Sequence, residues 1–239
     1  DLASAGRLCG IDPASEALLA GPRRPIVLMP RRPGAPVAPA VAEGLPTLGV
    51  MLPYTPLHVL LLAAGPDVLV MTSGNVADEP LVREDAEAVE RLGPIADAIL
   101  THNRPIARSL DDSVAQADPD LGPVLLRRGR GWAPEPVRVG AFADAPAVLA
   151  VGAELKSTVC LYRGGRAVLS EHVGDLKAGR VLRHFMGVID DLEALFDCPP
   201  AALAADLHPQ YLSTDYARRR AAGRLPDRPA VPLIGVQHH

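Results

Sequence analysis

Apolar residues fall into short runs, separated by stretches rich in proline and glycine. Val27-Leu28-Met29 follows Arg23-Arg24-Pro25 and predicts a strand. Pro30 to Pro46 predicts loop or weakly formed helix. Thr47 to Leu52 is a second apolar run, stopped by Pro53. Leu57 to Ala64 has helical spacing, with Thr55 as N-cap and Pro56 at the first helical position. Val68-Leu69-Val70-Met71 predicts a buried strand ending in Thr72-Ser73-Gly74-Asn75. Arg83 to Leu92 predicts a helix, and Ser113 to Gln116 and Pro123 to Leu126 predict strands. Pro134, Pro136 and Pro146 bracket a connector, which places a domain boundary at residues 139–146.

The pattern then restarts. Val148 to Val151 predicts a strand. Thr158 to Tyr162 and Ala167 to Leu169 predict a hairpin turning at Arg163-Gly164-Gly165-Arg166. Leu182 to Phe196 is an amphipathic helix pattern, and Ala201 to Ala205 reads as a strand ending on Asp206. Asp215 to Ala222 predicts a helix with an arginine-rich end, which suits the helix dipole. Leu233 to Val236 is a last strand, delivering Gln237-His238-His239. Two α/β units are expected, each carrying polar strings just after strands, where α/β sheets keep their sites.

Composition narrows the classes. The 239 residues carry a net charge of −4, so the chain as a whole is no polyanion binder, and a phosphate contact needs a local basic cluster. Aromatic residues are only 3%, so the core must be aliphatic. Cys9, Cys160 and Cys198 form no CxxC pair, which argues against a disulfide framework or a cysteine zinc site. No apolar run is long enough to span a membrane, and a cytoplasmic location is expected. The absent initiator Met and the stop inside a histidine string suggest an interior piece of a longer protein.

Several strings can carry chemistry. Thr72-Ser73-Gly74-Asn75 can donate hydrogen bonds to a phosphate or carboxylate, or can simply satisfy its own turn. His102-Asn103-Arg104-Pro105-Ile106 offers an arginine fork, and Asp111-Asp112-Ser113 places two carboxylates that repel unless something offsets them. A salt-bridged loop is the competing reading. Arg127-Arg128-Gly129-Arg130-Gly131 is the one dense basic cluster, either a phosphate contact or a solvated loop tip. In the second unit, His172 and Asp175, then Asp206 and His208, join imidazole to carboxylate after strands. Adjacent histidines at the end make metal ligands only with further partners.

In order, these strings resemble the HypF family of carbamoyltransferases. Leu52-Pro53-Tyr54-Thr55-Pro56-Leu57-His58, Met71 to Asn75 with Asp78-Glu79-Pro80, His102 to Ile106, Asp111 to Val114 and Arg127 to Gly131 match in the first half. Val151-Gly152-Ala153-Glu154-Leu155-Lys156, Ser170 to Asp175, Asp206-Leu207-His208-Pro209 with Tyr211 to Thr214, and Val236 to His239 match in the second. The resemblance implies a twisted α/β YrdC-like domain over residues 1–138, lacking its start. It implies the first part of an ASKHA-type (actin/Hsp70-like) α/β transferase domain, related to TsaD, over residues 146–239.

The resemblance further implies that carbamate, derived from carbamoyl phosphate, is activated with ATP as carbamoyl-adenylate. The carbamoyl group then passes to the C-terminal cysteine of the partner HypE, on the way to the cyanide ligand of nickel-iron hydrogenase. Ser73, Asn75, Arg104, Asp111, Asp112, Arg128 and Arg130 would hold the nucleotide. Lys156, His172, Asp175, Asp206 and His208 would line the transfer site. His238 would be the first ligand of a metal, iron or zinc, with magnesium accompanying the nucleotide. No membrane or nucleic-acid partner is implied. The family carries an arginine two residues before Asp111; here that position is Ser109, with Arg108 one earlier. The competing readings are a YrdC-type, RNA-binding threonylcarbamoyl-adenylate synthase and a small-molecule O-carbamoyltransferase. The first leaves residues 146–239 unexplained, and the second has the two domains in the opposite order.

Overall fold

A computed structural model describes residues 1–77, 79–177 and 179–237. The chain divides into two compact units that interleave in sequence. The first comprises residues 1–72 and 112–132, and the second residues 73–111 and 133–239.

In the first unit, α1 (Leu2–Leu8) and α2 (Pro13–Ala20) begin on aspartate caps, because Asp1 and Asp12 accept from the N–H groups of Ser4 and Ser15. Neither helix stands out from apolar spacing alone. β1 (Ile26–Pro30) pairs antiparallel with β2 (Thr47–Val50). α3 (Pro56–Ala64) starts as predicted, with Thr55 accepting from the His58 N–H and Pro56 at the first position. β3 (Val114–Asp118) runs parallel to β1, and β4 (Gly122–Arg127) returns antiparallel, giving the order β2-β1-β3-β4. Leu8, Cys9, Leu19, Val27, Met29, Leu48 and Leu52 form the core.

One expectation fails here. Val68 to Met71 is not a strand but an irregular, exposed segment, with Val70 71% accessible. It lines an apolar cavity of about 250 Å³ together with Leu48, Val50 and Leu62. A strand is stabilised by ladder hydrogen bonds to a neighbour, and no ladder is formed by these residues.

In the second unit, α4 (Asp85–Leu92) is followed, beyond the first unit's strands, by a two-residue strand, β5 (Val137–Arg138). Then come β6 (Val148–Ala150), β7 (Cys160–Arg163), β8 (Arg166–Leu169), α5 (Gly179–Leu195), β9 (Ala202–Asp206), α6 (Leu212–Ala221) and β10 (Leu233–Val236). The sheet order is β10-β9-β6-β7-β8-β5. Gly164 and Gly165 both have positive φ, 56° and 74°, as a tight two-residue hairpin demands. β5 joins β8 as an edge strand, so residues 137–138, N-terminal to the predicted boundary, pair with this sheet. α5 buries Val181, Phe185, Val188, Ile189 and Leu192, one face at helical spacing, in a core with Leu149, Leu161 and Leu203. Arg220 is 1% exposed and shares Glu193 with Arg228, which also pairs with Asp190.

The two sheets are mixed, and the molecule is α/β as predicted. Among the described residues no helix is long and apolar enough to cross a membrane.

Candidate functional site

The topology of the second sheet explains where its polar strings meet. β6, β9 and β10 are mutually parallel, and β8 runs the same way because two antiparallel steps separate it from β6. All four strands therefore end at one edge of the sheet. β10 ends beside β9, with Val236 opposite Asp206.

The loops leaving that edge are bonded to one another. Lys156 adopts a left-handed backbone, φ 47°, and its N–H donates to Asp175 Oδ1 at 2.7 Å. Ser157 N–H donates to the Gly174 carbonyl at 2.9 Å, and Val173 N–H donates back to Ser157 O at 2.8 Å. Leu176 N–H donates to Glu154 O at 3.0 Å. Glu154 Oε2 accepts from Leu212 N–H at 2.7 Å, which ties the β6 loop to the start of α6. Gly152 is needed at its place, because it has φ 68° and a Cβ would lie 2.4 Å from the Thr158 carbonyl oxygen.

Asp206, 9% exposed, ends β9 and accepts from His208 N–H at 2.7 Å. Thr214 Oγ1 donates to the Asp206 carbonyl at 3.0 Å and closes the turn against α6. The His208 ring stacks on Tyr211, with centroids 4.1 Å apart and planes at 16°. Its Nδ1 accepts from Gln210 N–H at 3.3 Å, so in the neutral ring the proton lies on Nε2. His172 is half-buried in the loop after β8. Lys156, His172, Asp175, Asp206 and His208 thus stand on the loops of a single sheet edge.

On the same unit, Glu171 has its carboxyl raised above the usual range, by burial first and then by Asp191. His184 on α5 is lowered by burial and by Arg83. Arg108, beside the departing Ser109, pairs with Asp191 at 2.8 Å. The Ser73–Asn75 turn also lies in this unit. Ser73 Oγ donates to Asn75 Oδ1 at 2.5 Å, and Asn75 Nδ2 donates to the carbonyls of Val76 and Glu79 at 3.0 and 2.9 Å. The turn therefore uses its amide to hold its own shape. Arg104 is exposed beside His102, and Asp111 is half-buried.

In the first unit the structure joins two strings that are distant in sequence. Ser113, fully buried, accepts from Gly129 N–H and donates to Arg130 O, both at 2.9 Å. Arg130 Nε donates to Asp112 Oδ1 at 2.7 Å, and its two terminal nitrogens donate to the Arg23 and Arg24 carbonyls at 2.9 and 2.6 Å. Its guanidinium also lies 3.4 Å from the Tyr54 ring centroid. Tyr54 is raised by burial and by Asp112, with Arg130 opposing. Arg128 donates to Trp132 O at 2.9 Å. Gly131 has φ 92°, and a Cβ there would lie 2.7 Å from Arg23 O. Three of the five donors of Arg130 are thus engaged within the unit, which makes it a clasp of the fold. Sequence reasoning missed this role because the partners are backbone carbonyls over a hundred residues away.

His238, the expected metal ligand, lies outside the described residues, as does Asp78. Among the described residues no three His, Cys, Asp or Glu side chains gather as metal ligands. By themselves they do not make the iron or zinc centre that the resemblance implies.

The chain thus holds two mixed-sheet α/β units, one with a basic-acidic clasp and one with polar loops gathered at a strand edge. Comparison with known proteins specifies the family. Residues 1–129 match the Sua5/YciO/YrdC family profile, described as Telomere recombination, and residues 143–239 match the HypF Kae1-like domain. The chain belongs to the HypF family. It is 47% identical over 98% of its length to "Carbamoyltransferase HypF" of Rhodobacter capsulatus, and 42% identical over 100% to that of Rhizobium leguminosarum bv. viciae. It spans 30% and 31% of the length of those curated relatives. Among solved structures, full-length HypF in the phosphate- and nucleotide-bound form superposes with a TM-score of 0.88 at 39% identity, over 100% of this chain and 36% of that one. HypF of T.kodakarensis superposes with a TM-score of 0.91 at 32% identity, over 100% of this chain and 30% of that one.

Proposed function

We propose that this chain is the adenylating and transfer portion of a cytoplasmic carbamoyltransferase. Residues 1–138 serve carbamoyl-adenylate formation from ATP and carbamate, with loss of pyrophosphate and with magnesium on the nucleotide; the carbamate comes from carbamoyl phosphate by release of phosphate. Residues 146–239 begin the domain that moves the carbamoyl group to the C-terminal cysteine of HypE. The observation that carries the reading is the convergence of the loops after β6, β8 and β9, together with family membership across both halves. Four relatives spanning 93% or more of this chain are named carbamoyltransferases.

In the transfer step the acceptor thiolate attacks the carbamoyl carbon, and the bond from that carbon to the adenylate phosphate oxygen breaks. The carbamoyl group ends on sulfur, and AMP departs with the electron pair. The thiol proton leaves with solvent or a base. His208 presents Nε2–H, so its role is that of a hydrogen-bond donor to the carbamoyl oxygen as negative charge develops there. Lys156, exposed on its left-handed turn, supplies positive charge for the departing phosphate. Asp175 holds the Lys156 backbone, and Asp206 holds that of His208. His172 completes the polar wall. A metal on His238 would add Lewis-acid polarisation.

In the first reaction, Ser73, Asn75 and Arg104 contact the adenylate. Asp111, Asp112, Arg128 and Arg130 are assigned to the nucleotide on the family resemblance alone. In the full-length protein, Asn75→Ala or Arg104→Ala abolishes carbamoyl-phosphate-dependent ATP–pyrophosphate exchange. Wild-type exchange in both variants would overturn the adenylation assignment.

A further inference from the structure

We propose that Glu154 is a positioning residue of the transfer site: its carboxylate fixes the turn that carries His208 to the loop that carries Lys156. The inference rests on the reading of these loops as a carbamoyl-transfer site.

Helix starts in this protein commonly carry their own caps. Asp1, Asp12 and Thr55 cap α1, α2 and α3 from the residue next to the helix. α6, like α4, lacks such a bond: its cap position is Tyr211, which makes no side-chain cap bond. That position is committed to the ring on which His208 stacks. The free N–H of Leu212, the first residue of α6, is taken instead by Glu154, 58 residues away, at 2.7 Å. The negative carboxylate also suits the positive end of the helix dipole.

The same residue holds the third loop. Its carbonyl accepts from Leu176 N–H at 3.0 Å, one residue beyond Asp175, whose carboxylate holds the Lys156 backbone. Glu154 therefore bonds to the β8 loop through its backbone and to the β9–α6 turn through its side chain. Only three residues separate His208 from Leu212, so loss of the side-chain bond frees the turn that aims Nε2. Asp206 then holds His208 at one end only.

The test uses the full-length enzyme with Glu154→Ala and Glu154→Gln. The glutamine keeps a side-chain oxygen that accepts from Leu212 N–H and loses only the charge. Carbamoyl transfer to a HypE C-terminal peptide is followed with the peptide varied, and adenylate formation is measured separately by ATP–pyrophosphate exchange. The alanine variant lowers the transfer kcat about 10-fold, equivalent to one hydrogen-bond-sized loss of transition-state alignment, and leaves the peptide KM and the exchange rate unchanged. The glutamine variant restores most of the transfer rate. Amide exchange at Leu212 speeds up in the alanine variant and not in the glutamine variant. Wild-type transfer in Glu154→Ala overturns the inference, and so does a glutamine variant as slow as alanine, since the carboxylate would then act by charge on the substrate. If His208→Ala also transfers at the wild-type rate, it is the transfer-site reading itself that fails, and the inference with it.

Discussion

Arg130 is the side chain whose removal should cost the first unit most. Its pair with Asp112 is only 19% and 22% exposed on the two sides, so solvent screens it weakly. Arg130→Ala deletes the ion pair and two hydrogen bonds to carbonyls, and it removes a cation from the face of Tyr54. Hydrogen bonds to charged groups contribute about 1.5–3 kcal/mol each, and a cation–π contact about 0.5–2 kcal/mol, without additivity. A net loss of about 3–4 kcal/mol is expected, in the range for breaking a largely buried pair. With a urea slope of roughly 1–3 kcal/mol/M, the unfolding midpoint falls by about 1–4 M. The chain's single tryptophan, Trp132, is 7% exposed under the Arg23 guanidinium at 4.7 Å, so its fluorescence reports this unit. Arg130→Lys keeps the charge but not the fork, and should fall between. An Arg130→Ala unfolding free energy within about 0.5 kcal/mol of wild type would refute the clasp, because that is the range of inconsequential surface changes.

Other outcomes follow from the second unit. Arg220→Met should destabilise it by about 3–5 kcal/mol in thermal melts monitored by circular dichroism, because Glu193 loses its buried bidentate partner. Gly152→Ala should cost about 1–3 kcal/mol and slow carbamoyl transfer, since the left-handed turn before Lys156 no longer fits its carbonyl neighbour. His184, lowered from 6.5 by burial, contributes stability above its ordinary value and loses it as pH falls through the lowered value, so His184→Leu should flatten the melting temperature on the acid side of neutrality. Glu171 has the opposite sign: raised by burial, it favours folding below the ordinary carboxylate value and loses that contribution as pH rises through the raised one. Glu171→Gln should therefore raise the melting temperature at pH 7 and not at pH 4.

Much of the fold is legible because each strand is a short apolar run fenced by proline, glycine or charge. The Gly164-Gly165 hairpin and the Thr55-Pro56 helix start are local chemistry, and both form as the residues dictate. α1 and α2 escape apolar spacing, and only their aspartate caps announce them. β5 is two residues long and exists through its pairing with β8, which no local pattern encodes. Val68 to Met71 shows the converse: a strand-like run fixes propensity but supplies no partner. At the site, Asp206, His208 and Lys156 are visible as polar residues after strands. The bonds that organise them are not, because Glu154 to Leu212 and Lys156 to Asp175 join residues apart in the chain through backbone N–H groups.

The convergence of three loops on one sheet edge as a carbamoyl-transfer site is tested most directly by His208→Ala in the full-length protein, with the HypE C-terminal peptide as acceptor. Loss of an oxyanion donor lowers kcat by about 100- to 1000-fold. Thiocarbamate formation on the peptide should fall by that factor, while carbamoyl-phosphate-dependent ATP–pyrophosphate exchange stays at the wild-type rate. Transfer at the wild-type rate, or loss of exchange together with transfer, would contradict the account.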